Sequence, residues 1–241
     1  VSHRQRALKP RFPPRWSIVA ALARFWADDR GLSVFWALLV IAAFVLPPLL
    51  PPGSGRTVVG DLVYALVLIS GVLALARRRL ARAFLMPVAV ITLAVELVSW
   101  VQPVSEPWVQ GTGLLSLLLL LVVVLGLTLR GGPVTFHRIQ GAVAGYLLLG
   151  MIWAYAYSLV ALLRPDAFSG PVSPSDGPRA FYYFSFVTLT TLGYGDVLPV
   201  HPAARSLAAL EAVTGPLYLA ILITRLVSLA VAPRRSQGSG D

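Results

Sequence analysis

Residues 188 to 196 read TLTTLGYGD and lie in the gap between two long apolar runs, Val134 to Leu163 and Ala203 to Ala232. The chemistry open to such a segment is in its main chain. Gly193 and Gly195 accept backbone angles of either hand without a Cβ clash, and alternation in hand aims successive carbonyl oxygens the same way. Thr191 can add a hydroxyl oxygen at one end of that row. A line of oxygens can stand in for the water around a cation. The competing reading is a surface turn, because GYGD followed by Pro199 also suits a loop. A turn gives no reason for Thr-Leu-Thr-Thr before it or for an apolar run on each side.

The elements that must hold this segment are membrane helices. Hydrophobic residues make up 57% of the chain and charged residues 12%, with mean hydropathy +0.77, so this is an integral membrane protein. There is no Cys, which excludes disulfides and thiolate metal sites. The net charge of +10 could suggest nucleic acid, but the Arg residues gather at the ends of apolar runs, so anionic lipid is the expected partner and nucleic acid is not. Residues 1–15 are basic and Pro-rich. Trp16 to Trp26 suits a short interfacial helix, with a globular cap as the alternative.

Six runs are long enough to cross a hydrocarbon core, near 32–50, 57–76, 82–101, 113–130, 136–163 and 203–231. Pro47 and Pro48 close the first, and Gly111, Gly131, Gly132 and Pro133 punctuate the later ones. Residues 179–190 are too few to span and suit a re-entrant helix, which Asp176 can cap and whose first turn tolerates Pro178. The chain divides into a basic cytoplasmic tail with its interfacial helix (1–31), a four-helix transmembrane domain (32–132), a pore domain (133–232) and a short cytoplasmic tail (233–241). With the amino terminus inside, Arg77, Arg78, Arg79, Arg82, Arg130, Arg138, Arg234 and Arg235 fall on the inner side with the basic amino-terminal residues. Arg56, Arg164, Arg179 and Arg205 fall outside. This asymmetry supports an even number of spans with both termini cytoplasmic.

The segment TLTTLGYGD, with its short preceding helix and flanking spans, resembles the pore signature of tetrameric potassium channels. A GYG alone arises by chance in roughly one chain in twenty of this composition; requiring Thr at the first position and Asp after it lowers that to on the order of one in ten thousand. The resemblance covers about residues 133–232. It implies an all-α membrane fold of six transmembrane helices with a pore helix (179–190) and a selectivity filter (191–195). Dehydrated K+ would then sit against the carbonyls of Thr191, Leu192, Gly193 and Tyr194, with Gly195 completing the filter. Leu192 stands where many family members carry Val, and a side chain pointing away from the ions leaves selectivity intact. One GYG per chain and no internal repeat imply several copies, and the family's number is four, so a homotetramer is expected.

Six spans with the pore last is the layout of voltage-gated channels, but the fourth run, GLLSLLLLLVVVLGLTLR, carries only Arg130, at its inner end. Moving one charge across the membrane is worth about 2.3 kcal/mol per 100 mV, so a helix without mobile charge gains almost nothing from the field. A conventional voltage sensor is therefore not expected. Glu96, in the outer half of the third run, has either a structural hydrogen bond or a role in gating.

In the family the Asp after the filter is tied to an aromatic donor in the pore helix. Here Asp196 pairs by spacing with Tyr183, where Trp is common; packing is the alternative for Tyr183. Thr190 lies at the pore-helix end that faces the cavity. Glu211, four residues before Gly215, could hydrogen-bond the pore helix behind the filter or be a satisfied structural acid. Gly215 matches the family's hinge glycine and Pro216 follows it. Leu219, Ile223, Val227 and Val231 recur every four residues and are candidates for the inner pore lining and a hydrophobic gate, against plain helix packing. Arg225, off that stripe, is placed at headgroups or the fourth-to-fifth linker. His137 could sense inner pH or be simply interfacial, and His201 lies near the outer mouth.

The expected function is passive, potassium-selective conduction in the cell membrane of a bacterium, with no cofactor beyond the permeant ion and no catalysis. The chain has no HExxH, GxSxG or Cys, and its intramembrane acids do not form a close pair. About ten residues follow the last run, which leaves no place for a cytoplasmic ligand-binding domain. The rivals are a weakly selective cation channel and, further off, a transporter subunit or membrane enzyme. The opening stimulus and conductance are not legible.

Overall fold

The computed structural model describes residues 29–50, 57–75, 79–102, 104–129, 136–172 and 174–231. The basic amino-terminal residues, the helix expected over Trp16 to Trp26, Arg77, Arg78, Arg130, Asp176's side chain and residues 233–241 lie outside this description. Helix α1 (Asp29–Val40) runs on through a π-type segment, Ile41–Val45, into a last turn, Leu46–Leu49. It is followed by α2 (Val58–Leu75), α3 (Arg79–Val101), α4 (Glu106–Thr128) and α5 (Phe136–Leu163). A 3-10 segment, Pro174–Phe181, leads into the short α6 (Tyr182–Leu189), and α7 (Pro202–Val231) closes the described chain. Apart from one short strand pair, the described elements are all helical, in keeping with the expected all-α membrane fold.

Among the described residues, five helices are long and apolar enough to span a membrane, within Gly31–Leu49, Ala83–Val101, Glu106–Thr128, Arg138–Leu163 and Pro202–Arg225; the sixth expected span is a shorter apolar helix, Val58–Ala74. Helix α4 begins at Glu106, well before the expected start at 113. Ser105 holds extended backbone at its N-cap position, Pro107 fits the first turn, and Gly111 and Gly113 are absorbed inside the helix. In hydrocarbon a helix cannot stop without stranding its peptide groups, so glycine loses the power to punctuate. At the pore helix the opposite happened. Gly177 (φ 62) and Pro178 keep its first residues in 3-10 geometry, and regular α-helix starts at Tyr182.

Helix α5 is the hub. Ala144, Leu148, Met151, Ala154 and Tyr157 recur at helical spacing and are all fully buried. Helix α5 packs against α1, α4, α6 and α7. Within the apolar window of α5, 56% of residues are buried, against 11% in α7. The single chain therefore leaves its last helix almost bare. Just before it, a strand pair joins β1 (Phe168–Ser169) antiparallel to β2 (Leu198–Pro199), with Phe168 opposite Pro199.

Candidate functional site: the filter and its supports

Helix α6 ends in a Schellman motif. Leu192 N–H donates to the Val187 carbonyl at 2.9 Å and Thr191 N–H to the Thr188 carbonyl at 2.9 Å. The left-handed position of that motif, usually glycine, is filled by Thr191 at φ 59, among the described residues the one non-glycine residue with positive φ. A β-branched residue there costs on the order of 1–2 kcal/mol. Gly193 follows at φ 61 and Gly195 at φ 80, while Leu192 and Tyr194 between them keep negative φ. The backbone thus alternates in hand from Thr191 to Gly195. Sequence reasoning foresaw this freedom for the glycines but missed that Thr191 starts the alternation, because nothing in its residue type asks for it.

All residues from Thr190 to Asp196 are exposed on the single chain, with Tyr194 at 67%. Thr190 turns its hydroxyl back onto the Phe186 carbonyl at 2.7 Å, so it closes the helix end. Tyr183 and Tyr194 stack with ring centroids 6.4 Å apart and planes 2° from parallel. The Asp196 carboxylate lies near enough to the Tyr183 hydroxyl to raise its pKa from the ordinary value. Tyr183→Phe removes the hydroxyl beside Asp196 and keeps the stack. Its expected effect is faster loss of current or weaker K+ over Na+ selectivity in planar-bilayer recordings; unchanged currents would assign Tyr183 to packing.

Behind the filter, Glu211 of α7 is fully buried. Its Oε2 accepts from the Tyr157 hydroxyl of α5 at 2.5 Å, and its Oε1 lies 2.6 Å from the Ser185 hydroxyl of α6, which also meets the Gly150 carbonyl at 2.7 Å. One carboxyl group therefore ties three helices together. Tyr157 and Ser185 were not anticipated. Tyr157 sits in an aromatic cluster, edge-on to Phe184 at 4.9 Å and to Phe168 at 5.7 Å. Its sequence trace was only the run Trp153-Ala-Tyr155-Ala-Tyr157.

Gly215 is buried where α7 crosses the end of α6, and a Cβ there would overlap the Leu189 carbonyl oxygen. Helix α7 runs unbroken through Gly215 and Pro216. Leu219, Ile223 and Val227 are exposed on the single chain at 41%, 60% and 55%; Val231 and the His137 side chain lie outside the description. Arg225 donates to the Leu129 carbonyl, just past α4, at 3.3 Å. His201 accepts the Ala203 N–H at 3.2 Å and so caps the first turn of α7.

The ion-channel family model matches residues 143–232. The chain is 30% identical over 92 residues to "Potassium channel K1" of Plasmodium berghei (strain Anka), covering 38% of this chain and 4% of that protein. It is 30% identical over 105 residues to "Inward rectifier potassium channel Kirbac3.1" of Paramagnetospirillum magnetotacticum, covering 42% of this chain and 31% of that one. The chain thus spans less than a third of either relative's length, and no solved structure matches. The matched segment holds α6, the alternating backbone, Glu211 and Gly215, so the part of the chain that resembles an ion channel is the part that carries the candidate site.

Proposed function

We propose that this chain forms a homotetrameric, potassium-selective channel that conducts passively and lacks conventional voltage gating. The observation that carries this reading is the alternation of positive φ at Thr191, Gly193 and Gly195 directly after a short helix too brief to span. Such a backbone offers carbonyl oxygens of Thr191, Leu192, Gly193 and Tyr194 as K+ ligands, and four chains around one axis complete the shell. The bare α7 and the exposed 190–196 segment are the surfaces such an assembly would cover. Leu219, Ile223, Val227 and Val231 would line the inner pore. The absence of any basic residue within α4 argues against a voltage sensor. The protein would sit in a bacterial cell membrane, both termini cytoplasmic and the inner leaflet's anionic lipid against its Arg clusters.

The test is flux from purified protein in liposomes, with reversal potentials in mixed K+ and Na+ and the particle mass measured alongside. A tetramer with strong K+ preference is expected. A reversal potential insensitive to K+ over Na+ would favour the weakly selective alternative, and a monomer would end the reading. Gly193→Ala separates filter from fold. No atom lies within 4 Å of a Cβ at 193, so the cost is the left-handed angle alone, about 1–2 kcal/mol per site. The variant is expected to assemble yet lose at least about ten-fold in selectivity, since even 1.4 kcal/mol is a factor of ten.

A further inference from the structure

The segment from Thr191 to Gly195 is carried at one end by α6, and its exit needs a separate hold. Among the described residues, no hydrogen bond between main-chain groups involves the N–H of Tyr194, Gly195 or Asp196. What meets the chain there is the turn after β1. Gly170 stands in that turn at φ 111, and a Cβ built on it would overlap the Asp196 carbonyl oxygen and lie 3.1 Å from Val197 Cα. Two separate reasons exclude a side chain at 170: the left-handed angle disfavours it, and the obstacle is backbone that cannot swing aside.

The surroundings of this contact are fixed. Phe168 pairs with Pro199 and Ser169 with Leu198, and the Ala167 carbonyl accepts the N–H of Val200 at 2.9 Å and of His201 at 3.2 Å. Phe168 anchors β1 in the aromatic cluster, with ring centroids 4.9 Å from Phe181 and, edge-on, 5.7 Å from Phe184 of α6. Arg205 of α7 donates its Nε–H to the Pro199 carbonyl at 3.1 Å, and both Ala167 and Val197 are buried. The strand after the filter is thus tied to the end of α5, to α6 and to α7. Gly170 is where this brace touches the residue next to Gly195. A side chain pushed into that contact has to move the Asp196 peptide, and Gly195 has no Cβ to resist the shift. Two peptides back lies the Tyr194 carbonyl.

We propose that Gly170 is a positioning residue for ion binding: bare backbone at 170 lets the β1–β2 pair seat the Asp196 carbonyl, and this seat holds the Tyr194 carbonyl in its ligand position. The proposal rests on the reading of residues 191–195 as a K+ filter. A site ordered in advance loses less entropy when its ion arrives, so loosening the seat weakens K+ binding. The strand pair then belongs to the conducting machinery, and part of its K+ affinity and selectivity is set by a residue that never touches the ion.

The test compares wild-type, Gly170→Ala and Gly177→Ala proteins as purified full chains. Melting temperature is read in nanodiscs against KCl, with NaCl holding the ionic strength, and reversal potential is read in liposomes with mixed K+ and Na+. K+ is expected to raise the wild-type melting temperature saturably. Gly170→Ala is expected to need at least ten-fold more K+ for the same rise and to lose ten-fold or more in K+ over Na+ preference. Gly177→Ala also puts alanine at a left-handed angle, φ 62, but the nearest atom to its Cβ is Gln110 Nε2 at 3.8 Å, so it is expected to lose stability with neither change. A wild type without K+ preference ends the filter reading and this proposal with it. A selective wild type beside an equally selective Gly170→Ala protein, or equal losses in both variants, overturns this proposal alone. If Gly170→Ala gives no particle of wild-type size, a cross-link decides. The chain has no Cys, and Ser169 lies opposite Leu198. Opposite residues of an antiparallel pair stand about 4.5–5.5 Å apart at Cα, within disulfide range. Oxidising the Ser169→Cys, Leu198→Cys double variant is expected to lower the K+ needed for the half-maximal rise three-fold or more, and reduction to restore it. An unchanged K+ response overturns the proposal.

Discussion

Gly215→Ala is expected to abolish K+ flux in liposomes and to lower thermal stability by more than about 2 kcal/mol, against the trend of helix propensity. In an ordinary helix interior Ala is favoured over Gly by about 1 kcal/mol. If residue 215 served only as a flexible joint, the alanine helix would be stiffer and the protein at least as stable. The structure argues for the other sign. Gly215 is buried, and its missing side chain is what lets α7 lie against the Leu189 carbonyl at the end of the pore helix. That obstacle is backbone and cannot swing aside as a long side chain would. Leu189 Cδ1, 3.2 Å from the same point, crowds it further. The inner helix must therefore withdraw, and the backbone from Thr190 to Gly195 is carried on the element it withdraws from. A Gly215→Ala protein with equal or higher melting temperature and intact flux would restore the hinge reading.

Glu211 is the second position of large effect, and its expected pattern follows from counting hydrogens. The Ser185 hydroxyl has one proton and two acceptors in reach, the Gly150 carbonyl at 2.7 Å and Glu211 Oε1 at 2.6 Å. A glutamine at 211 supplies an N–H toward Ser185 and keeps a carbonyl for Tyr157, so Glu211→Gln is expected to fold and conduct close to wild type. Glu211→Leu leaves the fully buried Tyr157 hydroxyl without an acceptor, at about 1–3 kcal/mol. Flux should fall with it, since the tie between α5, α6 and α7 is gone. Adding Tyr157→Phe to Glu211→Leu removes the orphan and is expected to recover much of the lost stability, because replacing both partners by apolar groups can be nearly neutral. Melting curves of the four proteins check this; a double variant no better than Glu211→Leu would mean that the bond to Tyr157 is not what holds the helices.

The parts of this site legible in sequence are those whose chemistry is local. A backbone that alternates in hand needs glycines at fixed spacing, so Gly193 and Gly195 announce it wherever they stand. The supports are different in kind. Ser185 meets Glu211 across 26 residues and Tyr157 meets it across 54, and no pattern around either residue encodes the partner. The pairing of Phe168–Ser169 with Leu198–Pro199 is hidden for the same reason. The start of α4 was misplaced because glycine was weighed as in water. Gly113 serves there as a gap, with a Cβ at that position only 2.6 Å from the Tyr155 ring.

The wide turn at Ile41–Val45 bears on how the two halves of the subunit meet. One residue more than a regular turn shifts everything beyond it by about 100° around the axis. Before it, Phe35 and Leu39 are fully buried, while Phe44, inside the wide turn, stands against Phe186 of α6 at 4.7 Å between ring centroids. The wide turn is thus where one continuous rod passes from a fully buried face to a ring contact with α6.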